Sequence, residues 1–144
     1  MVRITLRYPG ELHTEAVHEP SSARLETDAP RDNHGKGESF SPTDLLATSL
    51  GACMMTVMGI LARKEGLDID GLLATVDKYM TVSPPRRVAR LVVEVTLPID
   101  QGARLDASQR AALEAAGETC PVRLSLSESV AVETSYRWDG PRPT

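Results

Sequence analysis

Ser41-Pro-Thr-Asp-Leu-Leu-Ala-Thr-Ser-Leu-Gly-Ala-Cys-Met-Met-Thr-Val-Met-Gly-Ile-Leu-Ala62 is the stretch on which the fold turns. Ser41 can cap open backbone N–H groups, Pro42 suits the first helical position, and Asp44 completes a capping-box-like pair with Ser41. The Asp44 carboxylate also faces the positive end of the helix dipole. The helix is expected to run to Lys64 or Glu65, where Gly66 ends it. From Leu45 to Ala62 there are 18 residues without a charged side chain, which is the lower edge of a membrane span. Thr48, Ser49 and Thr56, the loosening Gly51 and Gly59, and the amphipathic strands on either side argue for a soluble core helix and no membrane. A helix apolar on every face must be covered on every face. One sheet covers one side, and Gly51, Ala52 and Gly59 would let a second helix approach closely on the other. The economical arrangement is a homodimer with two such helices packed together.

Outward from the helix the pattern changes to period two. Val2, Ile4 and Leu6, then Leu12, Thr14 and Ala16 after a Tyr8-Pro-Gly10 turn, then Ala23–Thr27 after Pro20-Ser-Ser22, predict three antiparallel strands. Asp28–Glu38 is a polar loop with Pro and two Gly. After the helix, Leu73, Thr75 and Asp77 alternate with Ala74, Val76 and Lys78 up to Ser83-Pro-Pro85. The β-branched run Ala89–Leu97 follows, and the two make a long hairpin. Asp106–Ala116 is an amphipathic helix expected to stop at Gly117, and Pro121 to about Ser127 a short one. Val130–Tyr136 is a last strand, and Gly140–Thr144 is expected to fray. The class is α+β in one domain over residues 1–144, with antiparallel runs of strands around a central helix.

Composition excludes several functions. Aromatic residues are only 3%, so the core must be built from Leu, Val, Ile, Ala and Met. The net charge of −4 is spread along the chain without a basic stripe, so no nucleic acid is expected as a partner. Met1-Val-Arg-Ile-Thr-Leu6 has no signal-peptide layout, which predicts a cytoplasmic protein. In a reducing compartment two cysteines read as thiols or a redox pair rather than a staple. His13, His18 and His34 are scattered and no zinc spacing is present, so neither a metal nor a cofactor is expected.

The two cysteines carry the chemistry. Cys120, in Thr119-Cys-Pro121, stands at a helix start, where a thiolate is favoured. By that rule it is the better nucleophile. Cys53 lies about three turns inside its helix, beyond help from that end's dipole. A base or cation would have to reach it from elsewhere. Taken alone, Cys53 reads as a small core hydrophobe. Met54, Met55 and Met58 read as flexible core fillers or as the lining of an apolar substrate pocket. Whether the two thiols meet depends on the fold.

The stretch Ser41–Met58 resembles the central-helix motif of the osmotically inducible protein C (OsmC) and organic hydroperoxide resistance family, in which a Pro opens the helix and a Gly/Ala-Ala/Gly-Cys unit carries the first cysteine. Thr27–Gly37 is similar to the loop that precedes this helix in many members, and Cys120-Pro-Val is like the family's second cysteine. The order of strands and helices agrees over nearly the whole chain. The resemblance implies an OsmC-like fold, with antiparallel sheets wrapped around long central helices in an intertwined homodimer. It also implies a thiol-dependent peroxidase for organic hydroperoxides, fatty-acid hydroperoxides among them, serving oxidative-stress defence. Carried to this chain, Cys53 attacks the peroxide and becomes a sulfenic acid, Cys120 condenses with it to a disulfide, and an external dithiol reduces the bridge. That order is opposite to the one the helix dipole suggests.

The chain departs from the peroxidase branch at two points. Where those members have a glutamate after the helix-opening Pro, this chain has Thr43, with Asp44 one further along and engaged as a cap. Where an N-terminal-loop arginine is expected, near Tyr8–Leu12, it has Glu11. Arg24, Arg31 and Lys36 are the candidate substitutes for that arginine. The chain therefore resembles the broader OsmC-like branch. The alternative function is a dimeric stress or small-molecule-binding protein with weak or no peroxidase activity.

Overall fold

In the computed structural model, which describes residues 1–141, the alternating N-terminal residues form β1 (Ile4–Gly10), β2 (His13–His18) and β3 (Ala23–Asp28), paired antiparallel in that order. The reversal after β1 comes later than Tyr8-Pro-Gly10. β1 runs through those residues, and Glu11 and Leu12, at φ 56° and 58°, make the turn. Two successive positive φ values match the twist of the flanking strands, and Gly10 pairs with His13 across them. The register Leu6↔Ala16↔Leu25 places Ile4, Leu6, Ala16 and Leu25 on one face of the sheet. Arg7, Glu15, Arg24 and Glu26 share the other, where the Arg7 guanidinium grips both oxygens of Glu15. The apolar face is open: Ile4 is 57% exposed and Leu6 67%.

From β3 the chain passes through a polar loop holding a 3₁₀ turn at Arg31–Asn33. Asp28 ties both ends of this loop. Its carboxylate lies 2.7 Å from Nδ1 of His13 and accepts the Glu38 N–H at 3.0 Å, and its own N–H donates to the Phe40 carbonyl. Residues 1–46 form one compact unit and the chain from Ala47 on a second.

Helix α1 (Pro42–Glu65) starts and stops where the sequence places it. The Ser41 N–H donates to Asp44 Oδ2 at 2.7 Å, the Asp44 N–H donates to Ser41 Oγ at 3.2 Å, and Gly66 follows at φ 67°. Ala47, Leu50, Gly51, Met54, Met58 and Ala62 form a buried stripe at helical spacing. Thr48, Ala52, Thr56 and Ile60 are exposed, so a single chain does not cover the helix on every face. The helix is long and apolar enough to cross a membrane, but 33% of its apolar window is already buried against the chain's own core. Gly51 serves a different contact from the one expected. A Cβ there would stand 2.9 Å from Cγ2 of Val76, so this glycine lets α1 approach a strand rather than another helix, whereas Gly59 has nothing within 4 Å.

That strand is β4 (Leu73–Met80), which forms the expected hairpin with β5 (Val88–Pro98). The antiparallel pattern then ends: β6 (Ala131–Gly140) lies parallel to β5. The reason is the crossover through α2 (Ile99–Gly102), α3 (Ala107–Glu118) and α4 (Pro121–Ser125), which returns the chain to the end of the sheet where β5 began. The inner face of this mixed sheet carries Val76, Leu91, Val93 and Val95. Leu91, Val93 and Val95, with Leu50, Met54, Met58 and Leu113, make a core in which each fully buried side chain contributes roughly 1.5–3 kcal/mol. The outer face is polar and cross-linked by Arg90–Glu133 and Arg137–Glu94 pairs.

Several boundaries differ from expectation for local reasons. The four-residue α2 was not foreseen, being too short for a periodic signal. Asp106 and Gln109 form a reciprocal capping box that starts α3. Gly117 does not stop this helix. It lies inside the last turn, where a side chain would meet Tyr136 and the methionines of α1, and Thr119 ends the helix instead. Helix α4 closes at Ser125, two residues early. Gly140 is buried and paired with Pro98 as the last residue of β6, so fraying does not begin there. The rest of that expectation, for Arg142–Thr144, lies outside the described residues.

Candidate functional site

Helical geometry sets Cys53 at the border of the buried stripe of α1, three residues after Leu50 and one before Met54. It is half-buried. Cys120 occupies the two-residue link between α3 and α4 and is wholly buried, at 0% exposure. Both are thiols without a disulfide. The Cys53 side chain is near enough to raise the Cys120 thiol, so the fold brings together two residues 67 positions apart.

The backbone of Cys120 is extended (φ −65°, ψ 146°) because it caps α4, and Pro121 takes the first helical position, where no N–H is needed. As a cap, the Cys120 Sγ accepts the Arg123 N–H at 3.4 Å, within range for a sulfur acceptor. Burial pushes the Cys120 thiol above its ordinary value, and the adjacent Cys53 sulfur pushes the same way. The N–H groups of Arg123 and Val122 oppose that rise by stabilising the thiolate.

A polar network surrounds this link. The Arg123 Nη2 and Glu118 Oε2 form an ion pair at 2.8 Å that spans the corner on either side of Cys120. Glu118 Oε1 accepts the Tyr136 hydroxyl at 2.9 Å. Burial and the Glu118 carboxylate hold the Tyr136 phenol well above its ordinary range, so it stays protonated and donates. Tyr136 stacks on Trp138, whose indole N–H donates to Glu114 at 3.0 Å. Gly117 leaves room for the Tyr136 hydroxyl: a Cβ there would be 3.0 Å from it and 3.4 Å from Sδ of Met58. Glu118, Arg123 and Tyr136 are functional candidates that sequence reasoning missed. The first two flank Cys120 and were open to notice, but Tyr136 is brought there only by the parallel pairing of β6.

The other sequence candidates belong to the first unit. Asp44 exchanges backbone and side-chain hydrogen bonds with Ser41, as its capping role requires, and Thr43 Oγ1 lies 3.1 Å from Ser41 Oγ. Arg31 Nε donates to the Lys36 carbonyl, closing the loop on itself. Arg24 stands on the polar sheet face, where its charge and that of Arg7 help hold Glu15 below the usual carboxylate range, the Arg7 hydrogen bond contributing most. Lys36, with His13, Asp28, Glu11, Glu26 and Glu38, lines a cleft of about 390 Å³ beside the hairpin turn.

Comparison with known proteins identifies the lineage. Residues 35–135 match the model of the family described as OsmC-like protein. A crystal structure from Psychrobacter arcticus 273-4, provisionally described as an osmotic stress induced and detoxification response protein, is 41% identical. The match covers 94% of this chain and 96% of that one, with a TM-score of 0.86. At 16% identity, an organic hydroperoxide resistance protein OsmC from Legionella pneumophila shares the fold over 95% and 96% of the two chains, with a TM-score of 0.73. So does an organic hydroperoxide resistance protein from Elizabethkingia anophelis, at 12% identity, a TM-score of 0.74 and coverage of 97% and 96%. No curated protein matches the chain. The chain belongs to the OsmC-like family.

Proposed function

We propose that this OsmC-like chain is a thiol-dependent reductase of organic hydroperoxides, working through Cys53 and Cys120. One observation carries the reading: a half-buried thiol, Cys53, neighbours a wholly buried one, Cys120, across 67 positions of sequence. A peroxide arriving from solvent meets Cys53 first. The Cys53 thiolate attacks the O–O bond, the alcohol leaves, and a sulfenic acid forms on Cys53. Cys120 then attacks that sulfur, the S–O bond breaks, water leaves, and a Cys53–Cys120 disulfide results. An external dithiol supplies the two electrons that restore both thiols. The names of the Legionella and Elizabethkingia relatives, as hydroperoxide resistance proteins, agree with this chemistry.

The working form in this proposal is a cytoplasmic homodimer of a single OsmC-like domain. It is supported by the uncovered stripe Thr48, Ala52, Thr56 and Ile60 on α1 and by the open apolar face of the first sheet, which a second copy would cover. A second reading, a dimeric stress or small-molecule-binding protein, draws on Thr43, which stands where the peroxidase branch has a glutamate, and on Asp44, whose carboxylate accepts the Ser41 N–H as a helix cap. Consumption of cumene hydroperoxide in the presence of a dithiol separates the two. Wild-type protein should consume it catalytically and Cys53→Ser should not. Wild-type turnover no faster than Cys53→Ser would overturn the peroxidase reading in favour of the binding protein.

A further inference from the structure

The two-thiol cycle needs Cys120 to stay within reach of Cys53, yet Cys120 sits in a two-residue link between helices of 12 and 5 residues. A helix of five residues is too short to hold its own orientation. Something else must fix the corner. Backbone bonds tie Cys120 to each neighbouring helix in turn: the Cys120 N–H donates to the Gly117 carbonyl of α3, and the Leu124 N–H of α4 donates to the Cys120 carbonyl. None among the described residues runs from α3 to α4 directly. The contact that joins both sides is the Glu118–Arg123 ion pair, from the last residue of α3 to the third of α4, over the cysteine. Arg123 is also the residue whose N–H donates to the Cys120 sulfur. Its Nη1 is enclosed without a hydrogen-bond partner, so Glu118 is the only anion among the described residues to which the guanidinium is paired.

The carboxylate is itself anchored. Its second oxygen takes the hydroxyl of Tyr136 on β6, and that hydroxyl sits over Gly117, the residue against which Met54 and Met58 of α1 also pack. Cys53 is the residue immediately before Met54. A continuous set of contacts therefore runs from the helix that carries one thiol, through Tyr136 and Glu118, to Arg123 and the sulfur of the other.

We propose, building on the cycle above, that Glu118 is a positioning residue for the second thiol. It clamps the α3–α4 corner so that Cys120 stays facing Cys53. The carboxylate touches neither substrate nor sulfur and acts only through Arg123 and Tyr136. Loss of the clamp should leave the first oxidation of Cys53 unchanged and weaken only the pairing of the two sulfurs.

The test is the thiol–disulfide equilibrium with glutathione. There the two protein thiols pass two electrons to glutathione disulfide, gaining the Cys53–Cys120 bond and releasing two glutathione thiols. Because no peroxide is involved, the equilibrium reads the clamp whether or not the hydroperoxide chemistry holds. Glu118→Gln keeps an acceptor for Tyr136 but loses the ion pair, and should lower the effective concentration of one thiol at the other on the order of tenfold, since misplacement of about 1 Å is costly to pre-organised groups. Glu118→Asp should recover most of the loss. The initial rate of Cys53 alkylation should stay within about twofold of wild type, where thiolate reactivity alone is read. A Glu118→Gln protein that melts earlier but keeps the wild-type glutathione equilibrium would overturn the proposal, leaving Glu118 a purely structural residue. If Glu118→Gln does not fold, Tyr136→Phe removes only the anchor; a smaller shift in the same direction supports the clamp, and an unmoved equilibrium overturns it.

Discussion

Replacing Gly51 by alanine tests the packing that sets Cys53 in place. In the interior of an exposed helix this change adds stability, about 1 kcal/mol, because alanine is the better helix former. Here the new Cβ would stand 2.9 Å from Cγ2 of Val76, and 3.9 Å from the Cβ of Ala74. No real Cβ sits so close, and the obstructing methyl belongs to a β-branched side chain in a strand paired to β5, with little rotameric freedom. Overpacking of this kind costs roughly 1–3 kcal/mol. Subtracting the propensity gain leaves a net loss of about 1 kcal/mol. With a urea m-value of roughly 1–3 kcal/mol/M, the unfolding midpoint should fall by about 0.3–1 M at constant protein concentration. Combining Gly51→Ala with Val76→Ala removes the obstructing methyl, so the double variant should be less destabilised than the sum of the singles by about 1 kcal/mol. A midpoint that rises for Gly51→Ala, with additive behaviour in the double variant, would refute the contact between α1 and β4.

Three further outcomes follow from the charges and surfaces. Because burial raises the Cys120 thiol and Cys120 must attack as a thiolate, disulfide formation from the Cys53 sulfenic acid should speed up as pH rises from 7 to 9, approaching tenfold per unit below the thiol's own value; rapid-quench alkylation reads this, and a flat profile would contradict it. Asp28 is held below its ordinary 3.8, chiefly by the His13 hydrogen bond, so its stabilising contribution is present above the usual carboxylate range and lost as pH falls through the lowered value. Asp28→Asn should therefore be less stable than wild type near neutrality and lose less on acidification; unfolding curves at pH 3 and 7 that stay parallel for the two proteins would contradict it. Sedimentation at micromolar concentration should give about twice 15.6 kDa, and Ile60→Lys should shift the protein towards the monomer, since a buried unpaired ammonium is costly; a soluble wild-type monomer would contradict the dimer.

What the sequence made legible was whatever depends on local periodicity and end signals. The Ser41-Pro-Thr-Asp44 start and the Gly66 stop bound α1 in full, because capping chemistry is written in a few adjacent residues. The hairpin of β4 and β5 was equally plain from its alternation. Pairings made over long separations were not. Nothing in Val130–Tyr136 distinguishes a parallel partner from an antiparallel one, since the alternation is the same in both. The site divides along the same line. Cys53 and Cys120 stand out by residue type, and their family context indicates that they should meet. Tyr136 was invisible as a site residue because only the β6 register brings it to Glu118. Gly51 illustrates the reverse failure: a small residue in an apolar helix reads as a seat for another helix, but the structure gives it to Val76.

The most direct measurement of the central claim is a single turnover. Reduced protein is treated with one equivalent of an organic hydroperoxide, quenched with an alkylating agent, digested and mapped. A peptide pair joined through Cys53 and Cys120 should appear, with one alcohol released for each bridge formed. Hydroperoxide left intact beside two alkylated cysteines would contradict the claim, and the contact between the thiols would then be packing alone.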